Sequence, residues 1–554
     1  VFEALLVEKS LIINTTGGPV KGKLNNWNGT QYYSYQGIPY AENPTGKLRF
    51  KPPVPRKPWT EVLDATEEGA ICSQMTLMYH MNNTVEDCLN VNVYVPVIRT
   101  EELLPVMVFV HGGVLQYSSG YTKNKFGPQY LLERGIIYVT MNYRLGPFGF
   151  LSLDLEEASG NAGIKDVLLS LKWVNQNIER FGGHPLNVTL IGHSAGSLIA
   201  NYLLLTNQSY GLFNQAMLHS GSAFVPRSYA KHPKDIAFIL AKELGIATDN
   251  VKEVLETLQT VEALDILKAY DNMRQKYNSP LRRYAPFEPT KEIEYDGALF
   301  TEDPRETFRK TDRIPINVPL LVGITEQESL CLLDHILSHT HGIDMLHENP
   351  ENLIPSDIEY PTGSQKSKDL GFLIHQRYFG GETNKNQSLN KLIEFISDIQ
   401  FTYGVNYWIK RYKSMKDSNK LYFYIFDFIG DLNPPRLNFS GVAHGDDMLY
   451  FHVTNALKIV TEIDEKTQRM MHIMQDLMSN FVLFSDPTPE GFNHELAWTE
   501  YGKEQNYMLL NENLSMQKFN ATKFYPRQQF WEEIYSNYYD YMENGGEIQK
   551  KIIP

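Results

Sequence analysis

Three observations predict an α/β fold with a large, mostly parallel twisted sheet covered by helices on both faces. Short apolar runs bounded by turn residues recur and indicate strands, at residues 106–110, 136–141, 188–191, 215–218, 318–324 and 421–428. Helical periodicity separates several of them, notably at 162–180 and 197–205. Continuous apolar strands are typical of sheets buried on both faces. Because neither a repeat nor a Pro/Gly/Ser-rich linker interrupts the sequence, we expect residues 1–554 to form a single domain.

Composition and charge exclude several classes of protein. The chain is 42% hydrophobic and 21% charged, which is unlike a disordered or fibrous protein. Lys and Arg number 51 against 65 Asp and Glu, giving a net charge of −14. Without a basic patch, such a chain repels phosphate backbones, so we expect no nucleic-acid partner. The longest nearly unbroken apolar run covers only residues 103–110, whereas a membrane-spanning helix needs about 20 residues.

The strongest chemical signal is the segment Gly192-His193-Ser194-Ala195-Gly196. It follows an apolar strand and precedes a helical stretch, which is the strand–turn–helix setting of a nucleophilic serine. The pattern alone is weak, because it arises by chance in roughly one chain in five of this length. The alternative is a serine in an ordinary glycine-rich turn. We predict that Ser194 is the nucleophile.

A serine nucleophile needs a base and an acid that orients the base, and this fold supplies them in the order serine, acid, histidine. Glu328 follows the strand predicted at 318–324, although Glu326 and Asp334 are alternative acids. His444 lies in a glycine-flanked loop after the strand predicted at 421–428. His219 precedes every acid candidate, so we expect it to be a packed structural histidine.

The developing negative charge on an ester oxygen needs hydrogen-bond donors. Residues 109–114 end a strand with His111, Gly112 and Gly113, and backbone N–H groups there could donate together with that of Ala195. A plain glycine turn explains this segment equally well when it is considered alone.

Several features point to an oxidising, extracellular compartment. Asn-x-Ser/Thr occurs nine times against about four expected by chance. We consider eight of these asparagines glycosylation candidates: Asn14, Asn28, Asn82, Asn207, Asn386, Asn438, Asn513 and Asn520. Asn187 lies in a predicted strand and is expected to be unmodified. The chain begins at Val1 without Met, so we expect a signal peptide to have been removed.

The three cysteines permit two interpretations. Cys72 and Cys88 are either two thiols or a disulfide, and the sequons favour the disulfide. We expect Cys331 to be a buried thiol outside this pair. His335, His339 and His341 lie close together beside Asp334, but neither Glu nor Cys completes a zinc motif there. We therefore expect a solvated helix end, with neither a metal nor an organic cofactor.

The sequence resembles the type-B carboxylesterase and cholinesterase family of α/β-hydrolases. Among the members of this family, it is most similar to invertebrate esterases. The matching segments run in order along nearly the whole chain and include Gln36-Gly37-Ile38-Pro39-Tyr40-Ala41, Glu86-Asp87-Cys88-Leu89, Asn142-Tyr143-Arg144-Leu145-Gly146, His444-Gly445-Asp446 and Phe530-Trp531.

The resemblance implies an α/β-hydrolase fold and a serine esterase without a cofactor. Its implied catalytic residues are Ser194, Glu328 and His444, and its implied oxyanion donors are the backbones of Gly113, Val114 and Ala195. It also implies a Cys72–Cys88 disulfide and two structural ion pairs, Arg49 with Glu86 and Arg144 with Asp166.

Departures from the family pattern bear on the substrate. Val114 stands where the family often has a third glycine, and a β-branched residue is strained there if φ is positive. The face of a Trp ring attracts a cation such as choline. The loop between Cys72 and Cys88 contains no Trp, which argues against choline esters as substrates. Juvenile hormone esterases typically have Gln where this chain has His193. This difference argues against a juvenile hormone esterase but does not exclude one.

We therefore expect hydrolysis of small to medium apolar esters, such as xenobiotic, odorant or hormone esters, by a secreted monomer or homodimer. The alternative is an esterase-like protein of weak or no activity that binds, scavenges or mediates adhesion.

Overall fold

A computed structural model describes residues 11–74, 83–98, 100–123, 126–277, 286–332, 348–380, 385–436, 439–454, 462–491 and 495–539. Its strands are β1 (Ile12–Asn14), β2 (Pro19–Lys21), β3 (Lys23–Trp27), β4 (Thr30–Pro39), β5 (Leu63–Asp64), β6 (Asn90–Pro96), β7 (Leu104–Val110), β8 (Ile137–Met141), β9 (Ser152–Leu155), β10 (Ala158–Ser159), β11 (Gly183–His193), β12 (Gln215–His219), β13 (Leu320–Thr325), β14 (Leu421–Phe426), β15 (Asn506–Leu510) and β16 (Ser515–Lys518).

The α-helices alternate with these strands. They are α1 (Gln129–Glu133), α2 (Gly146–Phe150), α3 (Ala162–Asn177), α4 (Ala195–Leu204), α5 (Pro233–Glu243), α6 (Val251–Leu258), α7 (Ala263–Tyr277), α8 (Pro304–Lys310), α9 (Gln365–Phe379), α10 (Lys385–Ser397), α11 (Tyr403–Lys413), α12 (Glu465–Phe484) and α13 (Tyr525–Tyr538). A π-helix, Asp398–Thr402, joins α10 to α11, and a 3₁₀ helix, Glu328–Leu332, follows β13.

The main sheet has eleven strands in the order β16-β15-β14-β13-β12-β11-β7-β8-β6-β4-β3. Neighbours from β15 to β8 pair in parallel, and the strands at both edges pair antiparallel. The six predicted strands correspond to β7, β8, β11, β12, β13 and β14, which are all central. The prediction of a mostly parallel sheet is confirmed, because its continuous apolar strands are those buried on both faces.

Helices cover both faces of the sheet, as predicted. Alternate side chains of β14 enter different cores, with Phe423 in one and Tyr424 in the other. The first core also contains residues of α3 and α4, and the second contains the methionines of α12. Within the described ranges, none of the helices is both long and apolar enough to cross a membrane.

Parallel strands bring their carboxyl ends to one edge of the sheet, where ligands bind in open α/β folds. The segment from His111 follows β7, and Ser194 follows β11. Ser220 follows β12, Glu328 lies just beyond β13, and His444 lies beyond β14. The topology therefore brings the candidate residues to the same edge.

The cysteines follow the predicted pattern only in part. Cys72 and Cys88 form a disulfide. Cys331 is exposed, so the prediction that it is buried is wrong. The 3₁₀ helix that carries it buries Glu328, Ser329 and Leu330 instead, and the next residue faces outward.

Buried ion pairs anchor two of the family-like segments. The Arg49 guanidinium lies 2.6 Å from the Glu86 carboxylate, and that of Arg144 lies 2.7 Å from Asp166. Because these charges are buried against each other, they are structural groups.

The sequons differ in accessibility. Asn14, Asn28, Asn207, Asn513 and Asn520 are exposed, and Asn187 is half-buried in β11. Asn386 lies in the first turn of α10. Asn82 and Asn438 fall outside the described residues, as do Asp334, His335, His339 and His341.

Candidate active site

Ser194 occupies a sharp turn between β11 and α4. Its φ of 58° and ψ of −121° are unusual for a residue with a side chain, and such strain concentrates at functional sites. The Ser194 N–H donates to the His219 carbonyl at 2.8 Å, which holds the turn against β12. A Cβ on Gly196 would lie 2.0 Å from the Val110 carbonyl oxygen. Only glycine therefore permits α4 to start this close to β7.

Glu328 and His444 form a hydrogen-bonded pair. Glu328 Oε2 lies 2.7 Å from His444 Nδ1. In addition, the backbone N–H of His444 donates to the backbone carbonyl of Glu328 at 3.0 Å. Glu328 Oε1 accepts hydrogen bonds from Ser220 Oγ at 2.6 Å and from the Thr325 N–H at 2.8 Å. The fully buried carboxylate thus has partners on both oxygens, which fixes its orientation toward the imidazole.

Two aromatic rings enclose the imidazole of His444. His193, the neighbour of Ser194, stacks on it with ring centroids 4.7 Å apart. Phe401 contacts it at 4.5 Å and belongs to the π-helix. A π-helix widens the turn locally and often occurs at functional sites. These contacts hold His444 against His193, the residue that precedes Ser194, while Nδ1 is engaged by Glu328 and Nε2 is its other nitrogen.

The alternative acid and base candidates have other positions. Glu326 forms an ion pair with Lys523. The Nδ1 atom of His219, which is fully buried, lies 2.6 Å from the Tyr424 hydroxyl and 3.4 Å from Asp447 Oδ2. Burial favours raising the pKa of Asp447, yet the hydrogen bond and charge of His219 bring it below its usual range. The His219 side chain is therefore a packed, hydrogen-bonded group of the protein interior.

The segment after β7 lies against Ser194. A Cβ on Gly112 would lie 2.8 Å from Ser194 Cβ. Gly113 has a φ of +106°, and a Cβ there would lie 1.9 Å from the Tyr117 carbonyl oxygen. Within the described ranges, the backbone N–H groups of Gly113, Val114 and Ala195 donate to no protein acceptor. They are therefore available to an oxygen placed beside Ser194.

Val114 adopts the left-handed backbone conformation, which is strained for a β-branched residue. Its φ is +56°, and that of the next residue, Leu115, is +59°. For a residue with a Cβ this conformation costs roughly 1–2 kcal/mol. The segment is braced by His111, whose ring stacks on Tyr143 at 4.3 Å. Burial lowers the pKa of His111 to about 4, so this brace is neutral at physiological pH.

Ser194 lines a cleft that contains about 570 Å³ of empty space, open solvent included. Most of its wall is apolar and comes from Val114, Leu115, Leu198, Val225, Pro226 and Phe401. The described residues contain no cluster of three His, Cys, Asp or Glu side chains suited to a metal ion.

The sequence did not single out four residues of this site: Ser220, Arg227, Gln400 and Phe401. Ser220 could have been predicted from the sequence, because it follows β12 at the edge of the sheet where the other candidate residues lie. No sequence pattern indicated Phe401 or Gln400, because their positions depend on the π-helix. Arg227 lies in a loop whose path the sequence pattern does not indicate.

Comparison with known proteins identifies the family. Residues 9–531 match the carboxylesterase family. The chain is 28% identical to a juvenile hormone esterase of Heliothis virescens over 549 residues, 96% of this chain and 94% of the relative. It is 32% identical to Esterase FE4 of Myzus persicae over 483 residues, 84% of this chain and 82% of the relative.

A solved structure agrees with the predicted fold. The crystal structure of juvenile hormone esterase from Manduca sexta, with OTFP covalently attached, matches with a TM-score of 0.83 and 27% identity. The match covers 95% of this chain and 99% of that chain. The predicted α/β-hydrolase fold is therefore confirmed, and the chain belongs to the carboxylesterase family.

Proposed function

We propose that this carboxylic ester hydrolase acts through an acyl-enzyme on Ser194, with His444 as the base and Glu328 as the acid. The hydrogen bond between Glu328 and His444, beside the strained turn of Ser194, is the observation that carries this assignment. A carboxylate on Nδ1 holds the proton there, so that Nε2 can accept the serine proton.

The first half of the reaction forms the acyl-enzyme. Ser194 Oγ bonds to the ester carbonyl carbon while its proton passes to His444 Nε2, and the carbonyl oxygen becomes an oxyanion. The N–H groups of Gly113, Val114 and Ala195 donate to that oxyanion, and Glu328 stabilises the imidazolium. The carbon–oxygen bond to the alcohol then breaks, and the alcohol leaves with the proton from His444.

The second half repeats these steps with water. His444 takes a proton from water as its oxygen attacks the acyl carbon, and the acid is released as Ser194 regains its proton. Apart from the ester and water, all groups in both halves belong to this chain, so the mechanism requires no cofactor.

The substrates we propose are apolar carboxylic esters. The mostly apolar cavity beside Ser194 supports this class. Relatives named juvenile hormone esterase, including one from Tribolium castaneum at 31% identity, support hormone esters among the candidates. Xenobiotic and odorant esters remain alternatives, because the named relatives include general esterases.

We further infer a secreted protein of one domain, acting as a monomer or homodimer. The disulfide and the five exposed sequons support an oxidising compartment. Mass spectrometry before and after glycosidase treatment of protein secreted from insect cells tests the glycosylation.

Steady-state hydrolysis of p-nitrophenyl acetate and butyrate tests the proposed function, with Ser194→Ala as the control. We expect sustained release of p-nitrophenol that the control abolishes. A burst of one equivalent that then stalls would indicate a scavenger, to which the strained Val114 would contribute by hindering deacylation. Release that persists in the control would contradict the assignment of Ser194.

A further inference from the structure

The buried amide of Gln74 joins the chain near the disulfide to the segment that follows β7. Its side chain is only 1% exposed. The Nε2 atom donates to the carbonyls of Cys72 and Ser118, each at 2.9 Å, and Oε1 accepts from the Ser118 N–H at 2.7 Å. Gln74 therefore binds both backbone polar groups of Ser118, as a neighbouring strand would.

One end of this contact is fixed by the disulfide. Cys72, whose carbonyl accepts from Gln74, is bonded to Cys88. The backbone N–H of Ser73 also donates to the Val85 carbonyl at 2.9 Å. Because the disulfide and this hydrogen bond hold the two residues before it, Gln74 extends from a cross-linked part of the chain.

The other end of the contact is the peptide unit on which Gly113 packs. A Cβ on Gly113 would lie 2.8 Å from the Tyr117 carbonyl carbon and 3.1 Å from Ser118 Cβ. The Tyr117 carbonyl and the Ser118 N–H belong to the same planar peptide unit. Because Gln74 accepts the hydrogen bond of that N–H, it holds the peptide unit that Gly113 contacts.

The same turn, residues 113–118, sets the direction of the Val114 N–H. The Gly113 carbonyl accepts hydrogen bonds from the backbone N–H groups of Gln116 at 2.9 Å and Tyr117 at 3.1 Å. This carbonyl shares a peptide unit with the Val114 N–H, and in a trans peptide the two groups point in opposite directions. The Val114 N–H therefore points away from the turn.

We propose that Gln74 is a positioning residue for the oxyanion hole. Its amide holds the turn 113–118 so that the N–H groups of Gly113 and Val114 stay directed at the carbonyl oxygen of the ester. Gln74 acts through the backbone of Ser118 and not by contact with the substrate. This inference rests on the proposed function, because it assigns those N–H groups to the oxyanion that forms when Ser194 attacks.

The turn needs such support because its backbone is strained. Val114 and Leu115 have φ values of +56° and +59°, and Ser118 has a φ of +96°. Residues with a Cβ keep such conformations only where the surrounding structure enforces them. Gln74 makes two hydrogen bonds to the last of these residues. Without them we expect the turn to relax, and a displacement of about 1 Å at a reacting group can lower the rate about 10²-fold.

Gln74→Met tests the inference, because Met has nearly the same length but lacks the N–H donors and the strong acceptor of the amide. The oxyanion develops only as the reaction proceeds. We therefore expect kcat for p-nitrophenyl butyrate to fall about 10- to 100-fold, while KM changes less than about threefold.

An alkyl trifluoromethyl ketone gives a second measurement on the same variant. The serine hydroxyl adds to its carbonyl, and the adduct carries a negatively charged oxygen in the position of the oxyanion. We expect its inhibition constant to rise by a factor similar to the fall in kcat, because both depend on the same donors. A residue that only stabilised the fold would change neither quantity in the folded protein.

Gln215→Met is the matched control, at the amino end of β12 and the opposite edge of the sheet. Gln215 is 2% exposed, and its Nε2 donates at 2.7 Å to Thr189 Oγ1 and to the Val482 carbonyl. The control therefore removes an equally buried, bridging amide. We expect it to lower the denaturation midpoint without changing kcat or the inhibition constant of the ketone.

Gln74→Glu is the second variant and nearly preserves the shape of the side chain. Its carboxyl group still accepts from the Ser118 N–H, but it can donate to at most one of the two carbonyls. We expect kcat to fall in this variant too, with KM again little changed, and the circular dichroism spectrum to match that of the wild type.

A kcat within about threefold of the wild type in either Gln74 variant would overturn the inference, as would a lower kcat with an unchanged inhibition constant. An equal loss of kcat in Gln215→Met, or loss of the native circular dichroism spectrum in both Gln74 variants, would assign a general role in folding and also overturn it. Ser194-dependent hydrolysis by the wild type would leave the proposed function standing in each case. Absence of that hydrolysis would contradict the proposed function, and this inference with it.

Discussion

Replacement of Glu328 by Gln tests whether this carboxylate fixes the proton on the imidazole of His444, the proposed base. The Thr325 N–H faces Oε1 at 2.8 Å and can only donate, so the amide oxygen of the variant must take that position. The amide NH₂ then faces His444 Nδ1, which must become an acceptor. The imidazole proton moves to Nε2, and this nitrogen can no longer accept the proton of Ser194.

The expected loss follows from this reversed tautomer. In a Ser-His-Asp triad, the equivalent change of Asp to Asn lowers kcat about 10⁴-fold while the geometry is kept. We expect a similar fall in kcat for p-nitrophenyl butyrate and an unchanged circular dichroism spectrum. Glu326→Gln is the matched control, two residues away and paired with Lys523. A Glu328→Gln variant within tenfold of the wild type, or a larger loss in Glu326→Gln, would refute the reasoning.

Three further predictions concern strain, burial and the disulfide. Val114→Gly relieves roughly 1–2 kcal/mol of left-handed strain against about 0.5–1 kcal/mol of added chain entropy, so the free energy of unfolding should rise by up to about 1.5 kcal/mol. Val114→Ala keeps a Cβ and should show no such gain in urea denaturation. Burial lowers the pKa of His452 to about 3, whereas the unfolded chain binds this proton near pH 6.5. Acidification from pH 6.5 to 5 should therefore lower the free energy of unfolding, and His452→Phe should reduce that loss by roughly 2 kcal/mol; an identical pH dependence in both proteins would contradict the assignment. The Cys72–Cys88 bridge spans 16 residues, so Cys88→Ser should lower the free energy of unfolding by about 3 kcal/mol, and an unchanged denaturation midpoint would count against the bridge.

The centre of the fold was predictable because its strands are apolar without interruption. Strands such as β13 and β14 lie between two cores and leave that pattern in the sequence. Edge strands β3 and β16 have polar and half-exposed side chains, so the pattern fades there. The edge strands were therefore identified only from the structure.

The order of the chemical groups was predictable for a similar reason. Parallel strands bring Ser194, Glu328 and His444 to one edge, so chain order and strand ends indicated all three, although they left Glu326 and Asp334 as alternative acids. The wall of the cavity follows no such rule. Arg227 and Phe401 come from a loop and a π-helix that are distant in sequence, and their meeting depends on packing that neither periodicity nor a motif records.

The central claim is that the acyl group of the substrate is carried by Ser194, and trapping that intermediate tests it most directly. Wild-type protein mixed with p-nitrophenyl butyrate is quenched in acid within the first turnover, digested and analysed by peptide mass spectrometry. The account predicts a butyryl group on the peptide containing Ser194, at up to one per chain, and its absence in Ser194→Ala. A butyryl group on another side chain, or sustained hydrolysis in Ser194→Ala, would contradict it.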